Sequence, residues 1–185
     1  MRTIGFILSL GCVLPLSLVA RADIFQWEYI NPADPSQGKR QSTMLAPDGA
    51  GQYAVPNTSL HGNLTMAYLV GADLTGAYAN QSNLTNADLS QANLTNAYFA
   101  YAPMTDADLS AAEVRGARFD RNLYPGAGGI SLAQLYSTAS YQAHDLSGIQ
   151  LTSNNLASGN FARQYLTNAT FYVTNVMGAD FSEAI

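Results

Sequence analysis

From Gly62 to Arg121 the apolar and polar positions repeat every five residues without a break in register: GNLTM, AYLVG, ADLTG, AYANQ, SNLTN, ADLSQ, ANLTN, AYFAY, APMTD, ADLSA, AEVRG, ARFDR. The third position of every pentad is apolar, from Leu64 through Leu89 to Phe119, and the first is nearly always Ala. A period of five fits neither the 3.6 of an amphipathic helix nor the 2 of a strand. Positions one and three, one residue apart, share a side of an extended segment, and the remaining three face water. If the chain turns after each pentad, four pentads close a square, and the next square stacks on it at the inter-strand spacing of about 4.8 Å. The expected architecture is a solenoid.

Closure on four pentads can be tested in the sequence, because residues twenty apart then lie above one another. The columns are Leu64, Leu84, Met104; Leu69, Leu89, Leu109; Leu74, Leu94, Val114; and Ala79, Phe99, Phe119, each apolar throughout. Hydrogen bonds between coils would satisfy the peptide groups, which leaves the outward polar positions free. Columns of Thr (65, 85, 105) and of Asn (63, 83) add ladder contacts.

The recurring Ala-(Asp/Asn)-Leu, as in Ala72-Asp73-Leu74, Ala87-Asp88-Leu89, Ala92-Asn93-Leu94 and Ala107-Asp108-Leu109, closely resembles the pentapeptide-repeat family. The resemblance implies an all-β fold, a right-handed quadrilateral β-helix. It covers residues 62–121 well and 144–183 more loosely.

Outside the first block the pattern changes. Residues 1–22 read as a signal peptide: Arg2 gives a positive start, Ile4 to Ala20 is apolar, and Ala20-Arg21-Ala22 is a small-x-small cleavage pattern. Cleavage after Ala22 removes Cys12, the one cysteine, so no disulfide is expected. In residues 23–61, Ile24 to Ile30 reads as a strand stopped by Asn31-Pro32, and the Pro/Gly/Ser-rich remainder as loop. The segment is assigned as the N-terminal cap that covers the first coil, with Trp27 a buried cap aromatic rather than a ligand-stacking residue. Residues 122–143 interrupt the pentads. Gly126, Gly128 and Gly129 mark a turn, and Ser131 to Gln134 fits a capping box. Leu132, Leu135, Tyr136 and Ala139 follow at helical spacing, which predicts a short helix over about 131–139 laid on the solenoid wall. Pentads resume over 144–185 with Leu146, Leu151, Leu156, Phe161, Leu166, Phe171, Val176 and Phe181 at position three, while position one loosens to His144, Asn154, Gln164 and Thr174. From Phe119 to Leu146 the spacing is not a multiple of five, so the insertion must absorb two extra residues. The chain stops in mid-pentad at Ala184-Ile185. That suggests either a fragment lacking a C-terminal sorting segment or an end that pairs, including end to end with another copy.

Charge and chemistry narrow the function. Charged residues are 11% and the formal net charge is −5, which argues against a nucleic-acid-binding basic surface. His61 and His144 stand in no metal-ligating or catalytic spacing, and no nucleophile elbow or phosphate-cradling glycine loop occurs. No catalytic residue, cofactor or metal is therefore expected, and His144 reads as a repeat variant at an inward position. Asp88 over Asp108, and Asp73 over Asn93 and Glu113, read as a solvated acidic face rather than a cation site. One face differs. Tyr78, Tyr98 and Arg118 stack at position two, and Gln81, Tyr101 and Arg121 at position five. Tyr and Arg are the types enriched in interface hot spots, so Tyr78, Tyr98, Tyr101, Arg118 and Arg121 form the candidate interaction face.

The reading that follows is a non-catalytic exported repeat protein, periplasmic, at the cell surface or secreted. It would act as a structural or protein-interaction scaffold with a protein or envelope partner and no membrane span after cleavage. Two other classes stand beside it. The acidic rod resembles cytoplasmic pentapeptide-repeat proteins that protect DNA gyrase by mimicking DNA, and the Tyr face could serve a sugar-binding module.

Overall fold

The computed structural model describes residues 23–122 and 128–185. The signal-peptide reading of residues 1–22, with Cys12, and the turn at Gly126 lie outside the described residues. Single parallel bridges join residues twenty apart: Asn63 to Asn83, Tyr68 to Asp88, Asp73 to Asn93, Tyr78 to Tyr98, and so on to Asn160 and Asp180. The stacking inferred from the period is thus the fold, an all-β quadrilateral solenoid. Its four columns make one continuous core in which Leu64, Leu84, Leu89, Leu94, Phe99 and Phe119 are fully buried, and the position-one alanines such as Ala77, Ala87 and Ala97 are equally inaccessible.

Each corner is a β-turn. The amide of Ala67 donates to the carbonyl of Leu64, Ala72 to Leu69, Ala87 to Leu84, and the residue between, at position five, is left-handed. Gly71, Gly76, Asn86, Asn96 and Gly116 hold φ values of 57–68° there, as the third residue of a type II turn requires. This explains the Gly and Asn at position five. At Gly116 a Cβ would also lie 2.0 Å from Asn96 Oδ1, one coil away.

The outward polar positions are not free, which corrects the sequence reading. Position-two Asn or Asp accepts from the amide two residues on: Asn63 from Thr65, Asp73 from Thr75, Asn83 from Thr85, Asp88 from Ser90, Asn93 from Thr95, Asp108 from Ser110. In several pentads the Thr or Ser hydroxyl donates to the same oxygen, at 2.6 Å from Thr75 to Asp73. The (Asp/Asn)-Leu-(Thr/Ser) spacing is therefore an Asx-type turn lock that competes well only where the chain bends.

The N-terminal segment is a hairpin, not a strand followed by loop. β1 (Asp23–Tyr29) pairs antiparallel with β2 (Lys39–Ala50), and a 3-10 turn at Pro35–Gln37 sits at the tip. The pairing Trp27 to Gln41 slips to Phe25 with Leu45 and again to Asp23 with Ala50. These bulges add residues to β2, so only Ser42, Ala46 and Gly49 are buried and no alternation of period 2 survives to be read. Bulges also accommodate Pro47 within the strand. β1 covers the first coil's edge: Trp27 N donates to the Met66 carbonyl at 2.9 Å, Tyr68 N to the Phe25 carbonyl at 2.7 Å, and Ile24 enters the core. Trp27 itself is half-buried, not the buried anchor expected.

The inserted segment does not lie on the wall; it is part of the wall. Arg118 bridges to Gln150, thirty-two residues on, so the fourth coil carries two further pentads' length plus the two extra residues. α1 (Leu132–Ser137) begins at Ser131 with both halves of the capping box formed, and α2 (Ala139–Gln142) is capped by Thr138. Leu135 is fully buried in the core. Below, Ala111 N donates to Ser137 O and Ala139 N to Ala112 O; above, the Asn160 amide donates to Tyr136 Oη and Tyr141 Oη donates to the Asn160 carbonyl. The two short helices thus occupy the Leu69–Leu89–Leu109 column at the level between Leu109 and Phe161.

Candidate functional site

The solenoid assembles the predicted face from successive coils. Tyr78 bridges Tyr98, Tyr98 bridges Arg118, and Arg118 bridges Gln150. The Tyr78 and Tyr98 rings stack at 5.0 Å with 19° between planes, directly outside the stacked pair Phe99 and Phe119. Their facing surfaces cover one another, and Tyr78 remains exposed on the rest of its ring. Arg118 donates from Nε to Asp120, a buried carboxylate that also accepts from the Thr152 amide at 3.0 Å. Its guanidinium is thereby held in place one coil above Tyr98. Tyr101 and Arg121 are exposed at the neighbouring corner, where Tyr101 is one of the left-handed residues.

The acidic columns form as expected but are not simply solvated. Asp88 is 3% exposed, because the chain's one lysine, Lys39, reaches from β2 to Asp88 Oδ2 at 3.1 Å and Asp108 Oδ2 at 3.6 Å. Burial raises the Asp108 pKa, but the Ser110 hydroxyl and amide together with the Lys39 ammonium outweigh it and hold the group below the ordinary carboxylate value. In the next column Arg115 faces Asp145 at 3.6 Å and Glu113 at 3.8 Å. The Ser147 hydroxyl and amide, with lesser help from Arg115, lower the Asp145 pKa. Nothing in the sequence placed Lys39 here. The available signal was a lone lysine in a segment read as loop, opposite two acids twenty residues apart.

His61 is exposed, and His144 is exposed too, with a φ of 59°. It occupies a corner rather than the inward position assigned to it. Among the described residues no group of His, Cys, Asp and Glu is arranged to hold a metal ion, and no helix is long and apolar enough to cross a membrane. A cleft of about 500 Å³ opens beside α1, lined by Asp106, Arg121, Gln134 and Asn154 among others. Its two buried-side amides are already committed. Gln134 Nε2 donates to the Met104 and Ala107 carbonyls, and Asn154 joins the Phe119 carbonyl to the Ile130 amide.

The model of the pentapeptide repeats matches eight copies over residues 67–100, 87–121 and 145–182, about half of the chain. The chain belongs to the pentapeptide-repeat family. No curated protein matches it. Similar solved structures include HetL, a pentapeptide repeat protein involved in heterocyst differentiation regulation from the cyanobacterium Nostoc sp. strain PCC 7120. It is 23% identical, with a TM-score of 0.40, over 72% of this chain and 66% of HetL. A pentapeptide repeat protein of the Arabidopsis thaliana thylakoid lumen is 23% identical at a TM-score of 0.25, over 71% of this chain and 66% of the other. QnrB1, a plasmid-mediated fluoroquinolone resistance protein, is 17% identical at a TM-score of 0.30 over 71% and 68%. This chain thus spans about two thirds of the length of each.

One pentapeptide corner departs from the repeat's own logic. Val173 is at position five with a φ of 56° and is 56% exposed. A β-branched residue is strained in that region, whereas Asn enters it readily. Val173→Asn should therefore stabilise the protein by about 1 kcal/mol. Chemical denaturation measures it, and a midpoint that does not rise would show that the corner relaxes around valine.

Proposed function

We propose that this pentapeptide-repeat protein is a non-catalytic scaffold exported from the cytoplasm, and that it meets a protein partner on the face formed by Tyr78, Tyr98, Tyr101, Arg118 and Arg121. The observation that carries the reading is how the polar side chains are spent. Asn, Asp, Thr and Ser lock their own corners, and the buried amides satisfy backbone carbonyls. Among the described residues no nucleophile, base and orienting group converge, as catalysis would need. What projects from the solenoid as a continuous surface of hot-spot residue types is the Tyr and Arg column. Export is supported by the sequence of residues 1–22.

The two other readings find less support. Asp88, Asp108, Glu113, Asp120, Asp145, Glu28 and Glu183 each lie beside a lysine or arginine, so the acids make no uninterrupted anionic stripe of the kind duplex mimicry needs. Sugar stacking needs open ring faces, and the Tyr78–Tyr98 stack closes one face of each ring.

Fractionation of the native host with mass-spectrometric identification of the termini tests the reading. The expected result is an N-terminus at Asp23 in the exported fraction. A cytosolic chain starting at Met1 would defeat export and return gyrase to the front of the search. Turnover dependent on His144 or on a carboxylate would defeat the scaffold.

A further inference from the structure

The hairpin is attached to the solenoid in two unlike ways. Its base is fixed through backbone: Trp27 N to Met66 O, Tyr68 N to Phe25 O and Asp48 N to Asn63 O, at 2.7–2.9 Å, with Ile24 buried in the core. Its tip runs on past the first coil over the second and third. There it is held by side chains. Lys39 Nζ lies 3.1 Å from Asp88 and 3.6 Å from Asp108, and 4.5 Å above the Trp27 ring, while Trp27 Nε1 donates to the Asn86 carbonyl at 2.6 Å. Tyr29, Ile30 and the residues of the 3-10 turn are exposed. Beneath the tip is a cleft of about 320 Å³ lined by Tyr29, Gly38, Tyr68, Val70, Ser90 and Gln91, so the tip is not packed down onto the coils.

We infer that the hairpin is a two-part cap, a permanent base and a releasable strap, with Lys39 as its catch. Segments held by few buried contacts open locally at much lower free energy than the whole fold. Here the catch is one ammonium shared by two stacked carboxylates, which repel each other once it leaves. Opening uncovers Asp88, Tyr68 and the Trp27 ring without breaking a coil, because Tyr68 N is bonded to Phe25 in the hairpin base and the Asp88 backbone to Ala67 and Leu69, rather than to the tip. The strap thus controls access to one wall of the solenoid, away from the Tyr78 face, and does not depend on the scaffold reading.

Trp27 is the only tryptophan in the chain, so its fluorescence reports the catch directly. In the full chain, Lys39→Met should shift Trp27 emission to the red and steepen acrylamide quenching, while far-UV circular dichroism of the solenoid is retained. Lys39→Arg should restore the parent spectrum. Asp108→Asn removes one carboxylate of the pair and should give a smaller shift in the same direction. It serves as the decisive variant should Lys39→Met fail to fold. Quenching unchanged from the parent in the folded variant would overturn the strap, as would a red shift that arrives only together with loss of the solenoid's dichroism.

Discussion

Leu89→Asp is expected to leave the solenoid unfolded. Leu89 is fully buried between Leu69 and Leu109; its amide donates to the Asp108 carbonyl of the next coil and its carbonyl accepts from Ala92 in the corner turn. Removing the leucine alone, as in Leu89→Ala, should cost about 2–5 kcal/mol. The carboxylate adds the cost of a buried polar group with no donor in reach, against a total stability on the order of 5–15 kcal/mol for a domain. A helix bundle could turn such a residue outward; this lumen cannot, since the next coils above and below fix the direction of every position-three side chain. Two residues away the outcome reverses. Gln91 is exposed and left-handed at 61°, a conformation Asp tolerates, so Gln91→Asp should change stability by less than about 0.5 kcal/mol. Thermal melts followed by far-UV circular dichroism compare the pair. A cooperative melt for Leu89→Asp within a few degrees of the parent would mean that the Leu89 column is not the core.

The columns were legible because stacking is a strictly periodic constraint: one offset of twenty residues places every Leu and Phe, and an apolar residue at each such place is what the sequence prints. The helix at Leu132–Ser137 could also be read, since its capping box is local. What escaped reading depends on contacts at irregular separation. β2 was hidden because its bulges break the alternation that marks a strand. The site was legible in the same uneven way. The Tyr78–Tyr98–Arg118 column follows from the period, whereas Asp120 beneath Arg118 sits at position four, where Thr or Ser is usual, and reveals its role only through the Thr152 amide of the enlarged coil. Lys39 reaching Asp88 likewise joins a non-repeating segment to a repeating one.

The loosened first positions of the second block carry the sharper test. By the repeat's own pattern Asn154 should be Ala, and a consensus substitution there would be expected to stabilise. Asn154→Ala is expected instead to cost about 2–5 kcal/mol, because each buried backbone group left without a partner costs roughly 1–3 kcal/mol. Asn154 is 2% exposed; its Nδ2 donates to the Phe119 carbonyl at 2.8 Å and its Oδ1 accepts from the Ile130 amide at 2.9 Å. Both backbone groups lie where the inserted segment interrupts the coil-to-coil ladder, so the side chain substitutes for the missing strand. Gln134 does the same for the Ala107 carbonyl, which the amide of a next coil would otherwise meet, as Asp108 N meets Ala87 O. Gln164 supplies the contrast. It is as buried as Asn154, yet its Oε1 has no partner and its Nε2 donates at 3.1 Å to the Tyr141 carbonyl. Gln164→Ala removes an unsatisfied oxygen along with the contacts of Nε2 to the Tyr141 carbonyl and to His144 Nδ1, and should cost much less, because the Tyr141 carbonyl keeps the His144 amide. Urea denaturation of the two variants separates the explanations: an Asn154→Ala protein as stable as Gln164→Ala would mean that the polar first positions are drift in the repeat, not repairs to the ladder.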